Sequence, residues 1–91
     1  MNAEIQSAQM QKEEEGFSGR TVFTLGGHRA PYEITFYSKN GKDWDYSLHF
    51  AGEPGSEEQF LQADEQIESD DELYDALLDA ALEAYEDGGE S

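Results

Sequence analysis

Tyr32-Glu33-Ile34-Thr35-Phe36-Tyr37-Ser38, then Lys39-Asn40-Gly41-Lys42, then Trp44-Asp45-Tyr46-Ser47-Leu48-His49-Phe50 is the stretch that decides the fold. In the first run Tyr32, Ile34 and Phe36 fall on one side and Glu33, Thr35 and Tyr37 on the other. A strand turns successive side chains to opposite faces, so this alternation predicts a sheet with one face buried. Pro31 is tolerated as the first residue of such a strand. The last run repeats the pattern, with Trp44, Tyr46, Leu48 and Phe50 set against Asp45, Ser47 and His49. Asn-Gly between two alternating runs is a strong hairpin signal. Upstream, Thr21-Val22-Phe23-Thr24-Leu25 is β-branched and aromatic, and it stops at Gly26-Gly27, which readily supply the positive φ of a turn. A three-stranded antiparallel meander is the consistent reading.

Downstream of Gly52-Glu53-Pro54-Gly55 the period changes. Ser56-Glu57-Glu58-Gln59 reads as a capping box opening a helical turn with Phe60, Leu61 and Ile67. Leu61, Ala63 and Ile67 fit alternation equally, so residues 59–67 read either as that helix or as a fourth edge strand. Ser69-Asp70-Asp71-Glu72 is a second capping box, and its acids suit the positive end of a helix dipole. A helix is expected from Asp70 to Glu86, ending at Gly88-Gly89. Tyr74, Leu77, Leu78, Ala81, Leu82 and Tyr85 gather on one side of it, the rhythm of a buried stripe. The apolar face of the meander supplies the cover. The predicted fold class is therefore α+β: a meander, with or without a fourth edge strand, packed by a C-terminal amphipathic helix in two layers.

The segmentation follows from composition. Leu, Ile, Val and Phe total 16 of 91 residues, few enough to raise disorder, but they and the aromatic residues concentrate in residues 20–50 and 60–85. Met1–Gly16 is polar, with Met1, Ala3, Ile5, Ala8 and Met10 as its apolar positions. Residues 1–18 are expected as a flexible or marginally helical segment, 19–87 as a single α+β domain, and 88–91 as a disordered tail. No apolar run approaches a membrane span and no signal-peptide layout opens the chain, so it reads as soluble and cytoplasmic. The absence of cysteine fits a reducing compartment and removes thiolate chemistry.

Charge is the loudest feature. The chain holds 22 Asp and Glu against 5 Lys and Arg, net −17, which disfavours direct contact with nucleic acid or anionic membrane. Residues 53–91 carry 15 of the acids and none of the bases. On the second helix Glu72, Asp75, Asp79, Glu83 and Glu86 fall within about 80° of arc opposite the apolar stripe and span about 21 Å. Duplex DNA sets a phosphate about every 3.4 Å along each strand, so the row resembles a thinned phosphate strand. Asp64, Glu65, Glu68, Asp70 and Asp71 extend it. An ordinary exposed face mixes signs, whereas Asp75–Asp79 and Asp79–Glu83 are like pairs at i, i+4, each costing about 0.2–0.5 kcal/mol. A chain that accepts this repulsion is expected to use it on a partner; solubility alone is the competing explanation.

Other chemistry finds little support. The spacing of Asp64, Glu68, Asp70, Asp71 and Glu72 departs from an EF-hand loop: Gln66 occupies a ligand position, Ser69 stands where Gly belongs, and Asp75 replaces the closing Glu. Loose cation screening is expected there, with no dedicated metal site and no cofactor. His28 and His49 are isolated, and Gly26-Gly27 lacks the context of a phosphate loop, so no catalytic residue is assigned. Tyr37 points away from the expected core. With Val22 and His49 it offers a contact surface on the second face of the sheet.

The layout resembles that of small phage-encoded anti-CRISPR proteins, particularly those that occupy the protospacer-adjacent-motif site of Cas9. The likeness lies in size, acidity, the polar N-terminal segment, the Asn-Gly-bearing meander and the acidic sequence from Ser56 to Asp87. It is one of architecture and composition, and it assigns no individual residue. It implies a DNA mimic that blocks a basic nucleic-acid-binding protein, a nuclease or Cas effector. The alternative expectation is a non-catalytic intracellular bacterial interaction module, acidic for solubility, that binds through its sheet face. An acidic chaperone-like binder of basic proteins is a third.

Overall fold

The computed structural model describes residues 3–88, with side chains described through Tyr85. Six elements follow in chain order among the described residues: β1 (Ala3–Glu13), β2 (Gly16–Leu25), β3 (Tyr32–Ser38), β4 (Asp45–Phe50), α1 (Glu57–Ser69) and α2 (Asp71–Gly88). The strands make one open antiparallel sheet in the order β1-β2-β3-β4, and the helices cover one face of it. The fold is α+β in two layers, as expected: the meander has a fourth edge strand, contributed by the N-terminal segment, and residues 57–69 take the helical one of the two readings open to them.

The fourth strand comes from the N-terminus. Residues 3–13, expected as a flexible or marginally helical segment, form β1 and pair along β2 from Ala3↔Leu25 to Glu13↔Gly16. The register slips between Ile5 and Ser7, where Gln6 is the extra residue of a bulge. That bulge disguises the strand in the sequence. Ala3, Ile5, Ala8, Met10 and Lys12 pair with Leu25, Phe23, Thr21, Gly19 and Phe17, so they share the helix-covered face, yet the slip breaks the period of two into a spacing that also fits a helix turn. Met10 is buried because Gly19 makes room: a Cβ there would stand 2.6 Å from Met10 Cε. The folded unit therefore begins by Ala3, not at residue 19. Residues 89–91 of the expected tail lie outside the described residues, and Gly88 ends α2.

The β3–β4 connection is wider than a two-residue hairpin. Tyr37↔Asp45 is its last paired position, and among the described residues no non-glycine takes positive φ, which a type I′ turn would demand of Asn40. Asn40 instead organises the loop through its side chain, Oδ1 accepting from the Lys42 and Asp43 amides at 2.8 and 3.0 Å. Gly41 supplies the left-handed step at φ +77°. Trp44 falls in this loop just before β4 and packs near Phe17, ring centroids 6.3 Å apart.

Residues 59–67 belong to α1, not to an edge strand. Phe60, Ala63 and Ile67 make the inward stripe, and Leu61, which alternation would have buried, is 65% exposed. Ser56 caps the helix, Oγ accepting from the Gln59 amide at 3.2 Å. The reciprocal half of the capping box does not form. The Gln59 side chain turns to the β2–β3 turn, donating to the Gly27 carbonyl and accepting from the Arg29 amide. This fixes α1 over β3 and β4, where Phe60 meets Tyr32 and Phe50 at ring distances of 6.2 and 5.1 Å.

α2 crosses β1 and β2. Its fully inward residues are Leu73, Leu77 and Ala81, while Tyr74, Leu78, Leu82 and Tyr85 flank them half-buried. The stripe is thus centred slightly to one side of that read from the sequence, with Leu73 added. Thr21 is fully buried under α2 and donates its hydroxyl to the Leu77 carbonyl at 2.8 Å. The expected second cap is displaced by one residue, and with Leu73 at the third helical position no capping box forms. Ser69 ends α1, its hydroxyl donating to the Glu65 carbonyl, and Asp70 is the cap of α2, Oδ1 accepting from the Glu72 and Leu73 amides.

Leu77 has no exposed surface, so Leu77→Ala leaves both lost transfer energy and a cavity, and is expected to destabilise by about 2–5 kcal/mol. Leu61→Ala, on the exposed side of α1, is expected within about 0.5 kcal/mol of the parent. Urea unfolding followed by circular dichroism checks both.

Candidate functional site

The α2 row is built by the same rotation that makes the core. Glu72, Asp75, Asp79 and Glu83 are all exposed, on the side of the helix away from Leu73, Leu77 and Ala81. They project from a regular helix with no basic residue in its last turn or elsewhere in the segment. Glu86, the fifth member, has its side chain outside the described residues. Asp71 is exposed in the first turn, where the helix dipole favours a carboxylate.

The acids of α1 and the joint divide into two groups. Glu65 and Glu68 are exposed, as the row requires, whereas Asp64 is half-buried. Asp64 and Glu68 lie close enough to Tyr46 to raise its hydroxyl's pKa, after the larger effect of burial. Asp70 is committed to structure. As the single residue between the helices it closes α1, its amide donating to the Gln66 carbonyl at 2.9 Å, and opens α2 through its carboxylate. The Leu73 amide, then the Gln66 side chain at 3.0 Å, hold its carboxyl below the usual range. The structure therefore gathers four described carboxylates on α2 and withdraws Asp70 from them.

The second candidate surface is the sheet face left open by the helices. Its rows run across all four strands: Gln11, Ser18, Tyr37 and Asp45 make one, and Gln9, Arg20, Thr35 and Ser47 the next. They line a shallow cavity of about 550 Å³. Arg20 is among its lining residues, Nη1 3.7 Å from Glu33 Oε1. With the Gln9 amide turned to present its oxygen, Arg20 Nε and Nη2 donate to it at 2.8 and 3.2 Å. Tyr37 and His49 are exposed and Val22 is half-buried on this side, as its parity predicts. Val22 and His49 share a third row through Glu33, which keeps them four residues along the strand from Tyr37 rather than in one patch with it.

Sequence reasoning missed Glu13 and Asp45 as neighbours of Tyr37. Asp45 was legible as an outward residue of its strand, but Glu13 was not, since β1 itself was unread. Ser18 Oγ and Gln11 Nε2 both donate to Glu13 Oε1 at 2.8 Å, and these bonds lower its pKa.

His28 is occupied by a 2.8 Å hydrogen bond between Nδ1 and the Tyr32 hydroxyl. Among the described residues no three of His, Asp and Glu converge on a point where a metal ion would sit. None of the described helices is long and apolar enough to cross a membrane. Comparison with known protein families, with curated proteins and with solved structures finds no match for this chain.

The capping role of Asp70 has a pH signature. Its folded pKa lies below the ordinary 3.8, so it contributes stability above that value and loses it as pH falls through the lowered folded value. Asp70→Asn keeps a good cap without a titrating group. The stability difference between the parent and Asp70→Asn is expected to be constant at neutral pH and to shift against the parent as pH falls below about 4. Urea midpoints measured at a series of acid pH values check it.

Proposed function

We propose that the protein is a non-catalytic inhibitor that presents the α2 carboxylates as a mimic of a DNA phosphate strand and occupies the cationic nucleic-acid site of a DNA-binding enzyme. A CRISPR-Cas nuclease such as Cas9 is the class that the resemblance points to. The observation that carries the proposal is the exposed row Glu72, Asp75, Asp79 and Glu83 on one rigid helix, in a segment of 15 acids without a single base. Nucleic-acid sites of this kind read their ligand with arginines and lysines, which form charge-assisted hydrogen bonds to carboxylates as readily as to phosphates. The spacing is coarser than that of DNA, and long flexible basic side chains absorb the difference.

The mechanism is competitive. Opposite charge steers encounter and raises the association rate, and a screening length of about 8 Å at physiological ionic strength makes that steering salt-sensitive. Bound carboxylates then deny the enzyme its phosphate contacts. No bond is made or broken.

A second reading, an interaction module working through its sheet, draws support from the cavity on the open face. Salt and mutation separate it from the first. Duplex cleavage by Cas9-type nucleases, titrated with the protein at low and high salt, is expected to show inhibition that weakens steeply as salt rises. Asp75→Lys, Asp79→Lys and Glu83→Lys together are expected to weaken inhibition by more than about a hundredfold while the fold stays intact, because all three side chains are exposed and the inward stripe of α2 is untouched. Undiminished inhibition by the triple variant would falsify the mimic.

A further inference from the structure

We propose that the open sheet face carries a guanidinium-capture site, built on the ring of Tyr37 between the carboxylates of Glu13 and Asp45, that takes an arginine side chain of a partner protein. The site does not use the α2 row and stands whether or not that row binds DNA-reading enzymes.

Register and hydrogen bonds place the parts. Gln11, Ser18, Tyr37 and Asp45 are directly opposed across β1, β2, β3 and β4, so their side chains share the outer face. The Tyr37 hydroxyl reaches to the Glu15 carbonyl at 3.5 Å, past Ser18. Its ring therefore lies across β2 rather than standing off the sheet, and it is 40% exposed. On the β1 side the Glu13 carboxylate is pinned by Ser18 and Gln11, each at 2.8 Å. On the β4 side Asp45, the cross-strand partner of Tyr37, is exposed. Neither carboxylate forms an ion pair among the described residues, where the sole pair is Arg20–Glu33.

The ligand class follows from charge and shape. A net charge of −17 repels anions and draws cations. Arg20 does not fill the role itself, since Glu33 and Gln9 already engage it one row away. A cation above Tyr37 gains from the ring's negative face and from a carboxylate on each side. A planar guanidinium fits better than an ammonium, because it stacks on the ring while its donors point outward in the ring's plane toward both carboxylates. Tyr37 and Asp45 line the cavity of about 550 Å³, which accommodates an arginine side chain with its flanking backbone, and Glu13 stands just beyond that lining, bonded to Ser18.

The test is an amide-detected NMR titration of the full chain with N-acetyl-arginine amide, against the neutral isostere N-acetyl-citrulline amide. Binding is expected to move the resonances of Gln11, Ser18, Tyr37 and Asp45 with the arginine probe and not with citrulline. Tyr37→Leu with Asp45→Asn is expected to weaken that response about tenfold. Tyr37→Phe, which keeps the ring, is expected to retain it, as are Asp75→Asn and Asp79→Asn on α2. Shifts confined to the helices, an equal response to citrulline, or parental affinity in the Leu/Asn variant each overturn the site. Loss of binding on neutralising α2 alone overturns it too, by assigning the cation to the acidic row.

Discussion

The seating of α2 on the sheet governs the rest of the molecule. Leu73, Leu77 and Ala81 are its inward residues, and the buried Thr21 hydroxyl fixes the helix's rotation by donating to the Leu77 carbonyl at 2.8 Å. A helix has about 3.6 residues per turn, so setting those residues inward sets Glu72, Asp75, Asp79 and Glu83 outward. Turning the helix by one residue's worth of rotation, about 100°, would bring a carboxylate toward the sheet, where an unpaired charge costs several kcal/mol. The acidic row is thus a geometric consequence of core packing as much as a composition, and it is held as rigidly as the core.

Asp70 distributes the two helices over the sheet. One residue separates α1 from α2, so neither helix can slide without breaking the bonds through which Asp70 ends one and starts the other. α1 then lies over β3 and β4, sealed by Tyr32, Phe50 and Phe60, while α2 lies over β1 and β2. Tyr74 joins the halves through Phe36 and Tyr46, at ring distances of 5.9 and 5.5 Å. Burial, and after it neighbouring charge, raises the pKa of both Tyr46 and Tyr74, which are half-buried in this seam with Asp64 and Glu68 acting on the first and Asp75 and Asp45 on the second.

What the sequence made legible follows the strength of each local period. β3, β4 and α2 carry uninterrupted patterns of two or 3.6, and each was placed within a residue or two, with the carboxylates of α2 on their exposed side. β1 was lost to one extra residue: Gln6 shifts the parity of everything before it, and Ala3, Ile5, Ala8 and Met10 then look helical. Asp70 and Ser69 exchanged roles because both are good caps, and only packing decides which one meets the helix start. Gln59 fits a capping box by type, but a tertiary partner in the β2–β3 turn outbids the local one. The same failure hid half of the sheet-face site, since Glu13 reaches Ser18 only through a strand that local pattern did not reveal.

The charge on which the proposed basic partner would draw also works against the chain's own fold. Fifteen uncompensated acids in residues 53–91 repel one another within a thin two-layer domain, and each like pair on α2 costs a few tenths of a kcal/mol. Added salt screens that repulsion and firms the folded state, while it weakens attraction to a cationic groove through the same screening. Stability and partner affinity therefore move in opposite directions along one variable. If the row served only to keep the chain dissolved, a mixture of signs along α2 would have done so with favourable i, i+4 pairs in place of repulsive ones. A partner of the proposed kind, supplying the missing cations, would relieve the helix as it bound, and part of the association energy would then be the repulsion released within α2 itself.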